Sequence, residues 1–125
     1  MPEYHGGPPS GELHQILGNG EVVAFFAAEY KTFPFAFHYI KNVEVSPQKM
    51  NKGVGKALVD KVNNFLDENN SCGILFNGIS GPAKNMYSKA GWREVPKHPG
   101  WLVHNAPDNV SEQDWELAIM SISIV

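Results

Sequence analysis

Cysteine is almost missing from this chain: Cys72 stands alone among 125 residues. No intrachain disulfide can form, so nothing here reads as a stapled secreted scaffold. No apolar run approaches the length that spans a bilayer, and the first residues, Met1–Ser10, are Gly- and Pro-rich without the apolar centre of a signal peptide. The expectation is a cytoplasmic protein with no membrane partner. An excess of positive charge is also missing. The formal charge is -3, and a nucleic-acid partner would require a basic patch. Histidine and cysteine at metal-ligand spacing are lacking too, because His98 and His104 flank Gly100-Trp101 without forming a ligand pattern. No metal is expected.

What is present is a globular composition, 42% hydrophobic and 18% charged. Met1–Ser10 reads as a flexible lead-in, and residues 11–125 as one domain. Gly11–Gly18 is a weak strand candidate. Gly18-Asn19-Gly20 supplies the positive φ angles of a tight hairpin. Glu21–Tyr30 reads as a mostly buried strand, Lys31-Thr32-Phe33-Pro34 as a turn, and Phe35–Val45 as a long run of aromatic and branched residues suited to a strand. Together they predict a three-stranded antiparallel meander, with Phe25, Phe26, Phe33, Phe35 and Phe37 mostly in its core.

After Pro47 the pattern changes. Val54, Leu58, Val62, Phe65 and Leu66 fall at helical spacing, and Lys56, Asp60, Lys61, Asn64, Asp67 and Glu68 take the wet face. Asn69-Asn70 closes that helix, and Gly73–Phe76 is a short apolar strand. Ser80 as N-cap and Pro82 in the first turn predict a second helix to Lys89, closed by Gly91 in the left-handed position. Trp92–Val95, Trp101–His104 and Trp115–Ile124 are further strand candidates, the last the clearest. The predicted class is α/β (α+β), with a mixed, mostly antiparallel twisted sheet. The strand–helix–strand unit at Ile40–Phe76 requires a parallel crossover, right-handed by rule.

Val43-Glu44-Val45-Ser46-Pro47 runs into a turn holding Gly53 and Gly55, from which a helix leaves. The first turn of a helix has free N–H groups and the positive end of the macrodipole, an arrangement that binds phosphate. Lys49, Lys52 and Lys56 add positive charge. The nucleotide-hydrolysing loop is excluded, because Gly55-Lys56 is followed by Ala57 where a magnesium-binding hydroxyl is needed. A dinucleotide fingerprint needs three glycines in a first βαβ unit, and here two glycines follow a meander. Glycines that merely turn the chain into a helix remain the plain alternative.

These residues resemble the GNAT N-acetyltransferase superfamily. Its signature is an apolar-x-Val-x-Pro strand followed by Gln/Arg-x-x-Gly-x-Gly/Ala, and Val43, Val45, Pro47, Gly53 and Gly55 fall on it in register. Ala83, Tyr87, Gly91 and Trp92 match the family's next helix, with Trp for Phe. The match spans roughly residues 21–92. The resemblance implies a central parallel strand pair splayed around acetyl-CoA, used as co-substrate to acetylate a primary amine of a small molecule or peptide by direct attack in a ternary complex. The diphosphate would lie on the backbone of Met50, Asn51, Lys52, Gly53, Val54, Gly55 and Lys56, and the pantetheine arm along Val43 and Val45. Tyr87 would be the proton donor to the thiolate and Glu44 the base. Met50 departs from the Gln/Arg position, and Ser80 from an Asn for which Asn85 and Asn77 are substitutes. Family members usually carry a strand and two helices ahead of the meander, where this chain has Met1–Ser10. That difference keeps open a second class, a non-catalytic GNAT-like module that binds CoA or a partner. The short lead-in and the apolar end, Leu117–Val125, make a homodimer a further expectation.

Overall fold

The computed structural model describes residues 11–49, 53–78 and 83–123. The lead-in Met1–Ser10, the loop positions Met50, Asn51 and Lys52, and the capping residues Ser80 and Pro82 lie outside the described residues.

Three strands open the fold: β1 (Gly11–Gly18), β2 (Glu21–Lys31) and β3 (Phe37–Val45). They form the antiparallel meander that the sequence predicts. The first turn follows from its residues: Asn19 and Gly20 both have positive φ, 55° and 81°, which suits the twist of the flanking strands. Helix α1 (Val54–Glu68) and strand β4 (Gly73–Phe76) come next. They are followed by α2 (Lys84–Lys89), β5 (Arg93–Val95), β6 (His98–His104) and α3 (Glu112–Ser123). The sheet order is β1-β2-β3-β4-β6-β5. Only the β3–β4 pair is parallel.

Each face of the sheet carries its own core. On one face Phe26, Ile40, Leu58, Val62, Leu66, Tyr87 and Trp92 pack together beneath α1 and α2. On the other, Phe37, Cys72, Ile74, Val103 and the apolar side of α3 do so. Of the phenylalanine group, Phe26 and Phe37 are fully buried, whereas Phe33 is exposed.

The chain end corrects one prediction. Trp115–Ile124 does not form a strand; it lies largely in α3. The Ser-Ile alternation at its end and its Trp and Ile content mimic a strand. The cap and the period decide otherwise. Ser111 Oγ accepts the Asp114 backbone N–H at 3.1 Å, and Glu112 and Asp114 sit where the helix dipole favours acid. Trp115, Ala118, Ile119 and Ile122, spaced for one helix side, turn into the chain's own core.

A bulge in β3 sets up the site. Phe25 pairs with Glu44 but Ala27 pairs with Lys41, so Asn42 and Val43 together face Phe26 alone. Asn42 takes the left-handed conformation, φ 53°. Bulges bend the strand and change which side chains point where. Ile40 packs under α1, and unbroken alternation would send Asn42 and Glu44 there too. The extra residue sends Val43 and Val45 instead. Asn42→Val is expected to lower stability by about 1–2 kcal/mol, the cost of a branched side chain in the left-handed region, whereas Asn42→Gly should be near neutral. Urea denaturation of the two variants checks this.

Candidate functional site

The parallel pair holds for only two residues. His38 pairs with Gly73 and Tyr39 with Ile74. Beyond that point β4 stays with β6, through Leu75 to Leu102 and Phe76 to Trp101, while β3, bent by its bulge, stays with β2. The strands therefore part, and a cleft of about 690 Å³ opens between them. That volume is in the range of small-molecule sites. Its walls come from three directions. Ile40, Val43 and Val45 line the β3 side, Leu75, Phe76 and Asn77 the β4 side, and Gly53, Gly55, Lys56, Leu58, Met86 and Tyr87 the two helices.

The edge of β3 facing the gap offers backbone groups. The Ser46 N–H donates to Val23 O at 2.8 Å, toward β2. Strand alternation then turns the N–H and C=O of Val45 the other way, into the gap. At the end of the cleft is the start of α1. Its N-cap is Gly53, φ 79°, with no side-chain cap and no acid in the first turn. A Cβ at Gly53 would meet nothing within 4 Å among the described residues. The Lys56 ammonium pairs with Asp60 at 2.8 Å and is exposed at the mouth. Asn77 carries the unmet demand in this wall: its Nδ2 is buried with no hydrogen-bond partner among the described residues. A buried amide N–H left unpaired costs about 1–3 kcal/mol, so a ligand that accepts from it is favoured. These features fit an extended, amide-bearing ligand ending in a phosphate group.

Tyr87 stands in the wall of the cleft, 4% exposed. Burial pushes its hydroxyl up from 10.0 to about 12. Its ring meets Trp92 edge-on, with centroids 5.6 Å apart. The Trp92 indole N–H donates to Asn63 Oδ1 at 2.7 Å, and Asn63 Nδ2 donates to Ala90 O at 2.9 Å. This clamp ties α1 to the end of α2 and holds the tyrosine over the gap. Gly91, φ 98°, closes α2 in the left-handed position, as the sequence predicts.

Other sequence-predicted residues lie elsewhere. Glu44 is exposed, opposite Phe25 on β2, and is not in the cleft wall. Asn85 is exposed on α2 and is likewise outside the wall, and Val54 is half-buried against the α1-side core. Of the two candidate asparagine substitutes, the structure brings Asn77 to the cleft. His38 is a packed residue: its Nδ1 lies 2.7 Å from Ser71 Oγ and its ring meets Phe65. Asn42, Met86 and Phe76 also line the cleft. Asn42 is not legible in the sequence as a wall residue, because nothing local to β3 marks the bulge that turns it.

The chain superposes on a GNAT family acetyltransferase from Elizabethkingia anophelis solved with acetyl-CoA bound, with a TM-score of 0.65 at 20% identity, over 78% of this chain and 77% of that one. This is the GNAT fold. Two further solved structures share it. An IAA acetyltransferase from Bacillus cereus aligns with a TM-score of 0.64 at 19% identity, over 76% of this chain and 77% of that one. A GNAT family acetyltransferase from Staphylococcus aureus aligns with a TM-score of 0.60 at 21% identity, over 76% and 67%. No family model matches the sequence, and no curated protein does.

Burial also makes a prediction about alkali. The Cys72 thiol is pushed up from 9.0 to about 12 and the Tyr87 phenol from 10.0 to about 12, both by burial. Raised folded values mean the native state holds these protons more tightly than the unfolded chain. Their stabilising contribution is complete below pH 9 and is lost as pH rises toward 12. Each group removes about 1.4 kcal/mol per pH unit once its unfolded form is ionised. Urea denaturation should show their contribution flat from pH 7 to 9 and falling above it. Cys72→Ala should make the drop between pH 9 and 10 shallower.

Proposed function

We propose that this chain is an N-acetyltransferase that moves an acetyl group from acetyl-CoA to a primary amine in a ternary complex. One observation carries the reading: the β3–β4 wedge runs from an open strand edge to an uncapped helix N-terminus, with the unpartnered Asn77 amide in its wall. The pantetheine arm, which carries amides, pairs with the free edge of β3 at Val45, and with Val43 as the resemblance implies. Asn77 Nδ2 donates to one of its carbonyls. The diphosphate takes the first-turn N–H groups of α1, with Gly53 and Gly55 allowing close approach and Lys56 supplying charge. The resemblance implies that Met50, Asn51 and Lys52 would also hold the diphosphate.

In the reaction the amine lone pair forms a C–N bond with the thioester carbon, and the C–S bond breaks. The proton shed by nitrogen ends on the leaving sulfur, giving the amide and the free thiol. Holding both reactants in line supplies much of the rate. The Val45 N–H, turned into the gap, polarises the carbonyl. Tyr87, protonated at any working pH, donates a hydrogen bond to the departing thiolate. Glu44, on the outer face of β3, accepts the amine proton through water.

A second reading is favoured by a specific observation: no carboxylate and no histidine lines the cleft among the described residues. A site without a nearby base suits a module that holds CoA and performs no transfer. Calorimetry with acetyl-CoA, followed by detection of free thiol with a panel of amines, separates the two. Binding with turnover supports the enzyme, and binding without turnover supports the module. No binding removes both.

A further inference from the structure

Part of the cleft wall lies on the sheet face that α3 covers. Tyr39 packs with the α3-side core, and Lys41, two residues on and before the bulge, shares its face. Across the gap Phe76 follows Ile74, also of that core, by two residues. Tyr39, Lys41 and Phe76 all line the cleft. This side of the wall therefore carries two aromatic rings and one cation, on the face away from α1.

Phe76 is the unusual member. It is 57% exposed at the rim of a cavity, yet its ring is held on two sides. The Trp101 ring, on the paired residue of β6, lies 5.0 Å away. Beneath it, a Cβ at Gly100 would come within 3.1 Å of Phe76 Cε1, and Gly100 takes φ 90°. The Asn77 N–H donates to Gly100 O at 2.8 Å, which ties the strand end down beside the ring. A large ring kept in place and left open to water offers an apolar, flat surface. Lys41 on this face is paired with Glu29 at 3.9 Å, and Lys56 at the α1 end with Asp60 at 2.8 Å, so the ring, and not an unpaired charge, is what this part of the wall offers an acceptor.

We propose that Phe76, backed by Trp101, is the specificity-determining surface on which the acceptor's body lies, and that the acceptor is an amine carried on a flat apolar group. This rests on the acetyltransferase reading above and extends it to the substrate class. Phe76 touches the acceptor's body and takes no part in bond making.

Saturation-transfer NMR on the CoA-loaded protein, with tryptamine and spermidine as probes, tests it. The expected result is strong transfer to the tryptamine ring protons and none to spermidine. Phe76→Ala should cut the ring-proton signal at least five-fold, and Phe76→Trp should restore it. Equal signals from the two probes, or an undiminished signal in Phe76→Ala, would overturn the proposal while leaving acetyl-CoA binding intact as a reading. A chain that shows no affinity for acetyl-CoA by calorimetry overturns both.

Discussion

Gly55→Asp is expected to weaken acetyl-CoA binding by about 100-fold or more while barely changing stability. Gly55 is the second residue of α1, and its φ lies outside the left-handed region, unlike that of Gly53. A side chain can therefore be added without backbone strain. Its Cβ would meet the Met86 Cε at 3.2 Å, the free end of a flexible side chain that can give. An aspartate there stabilises the helix by about 0.3–1 kcal/mol through the dipole, which offsets the small packing cost. For the ligand the effect has the opposite sign. The carboxylate accepts the first-turn N–H groups that the diphosphate needs and repels its charge. A hundred-fold loss is about 2.7 kcal/mol, the equivalent of one or two charge-assisted hydrogen bonds at roughly 1.5–3 kcal/mol each. Calorimetry reads the affinity and urea denaturation the stability. An unchanged affinity would mean that the diphosphate does not lie on α1.

Tyr87→Phe is expected to lower kcat by about 10²–10³-fold, the loss typical of one donor aimed at developing charge, with little change in KM for acetyl-CoA. The substitution keeps the ring against Trp92 and removes only the hydroxyl. Burial that holds the phenol near 12 also limits what it can do. A free thiol titrates near about 8.5, so full transfer of the phenol proton to a thiolate of that basicity runs uphill. On the proposed reading the tyrosine then acts by hydrogen bonding, and the proton on the product thiol comes through solvent from the amine. A pH–rate profile should accordingly show the acceptor amine's ionisation on its acid limb and no tyrosine limb below pH 11. A Tyr87→Phe enzyme as fast as the parent would assign the residue to packing alone.

Much of the fold is legible in local chemistry. The Asn19-Gly20 hairpin, the period of Val54 to Leu66 and the Gly91 cap are signals carried by a few adjacent residues, and each element appears where its signal lies. The same kind of signal failed at the chain end. There the branched and aromatic residues of Trp115–Ile124 suggested a strand, while Ser111 and the three- and four-residue spacing of Trp115, Ala118, Ile119 and Ile122 made a helix. Propensity is a weak prior against a cap and a face to bury. Asn42 hid for a related reason: one residue in the left-handed region shifts every later side chain in its strand, and no local pattern announces it.

The sequence by itself determined the glycines at the mouth of α1, the meander ahead of them and the tyrosine one helix later, because turns, caps and periods are short-range properties. Only the tertiary structure decided that β3 and β4 pair for two residues and then part, that Asn77 rather than Asn85 reaches the gap, and that Glu44 does not. Those outcomes depend on a contest over which neighbour each strand follows past the bulge: β3 stays with β2, and β4 stays with β6. Long-range pairing energy settles that contest, and no stretch of neighbouring residues contains it.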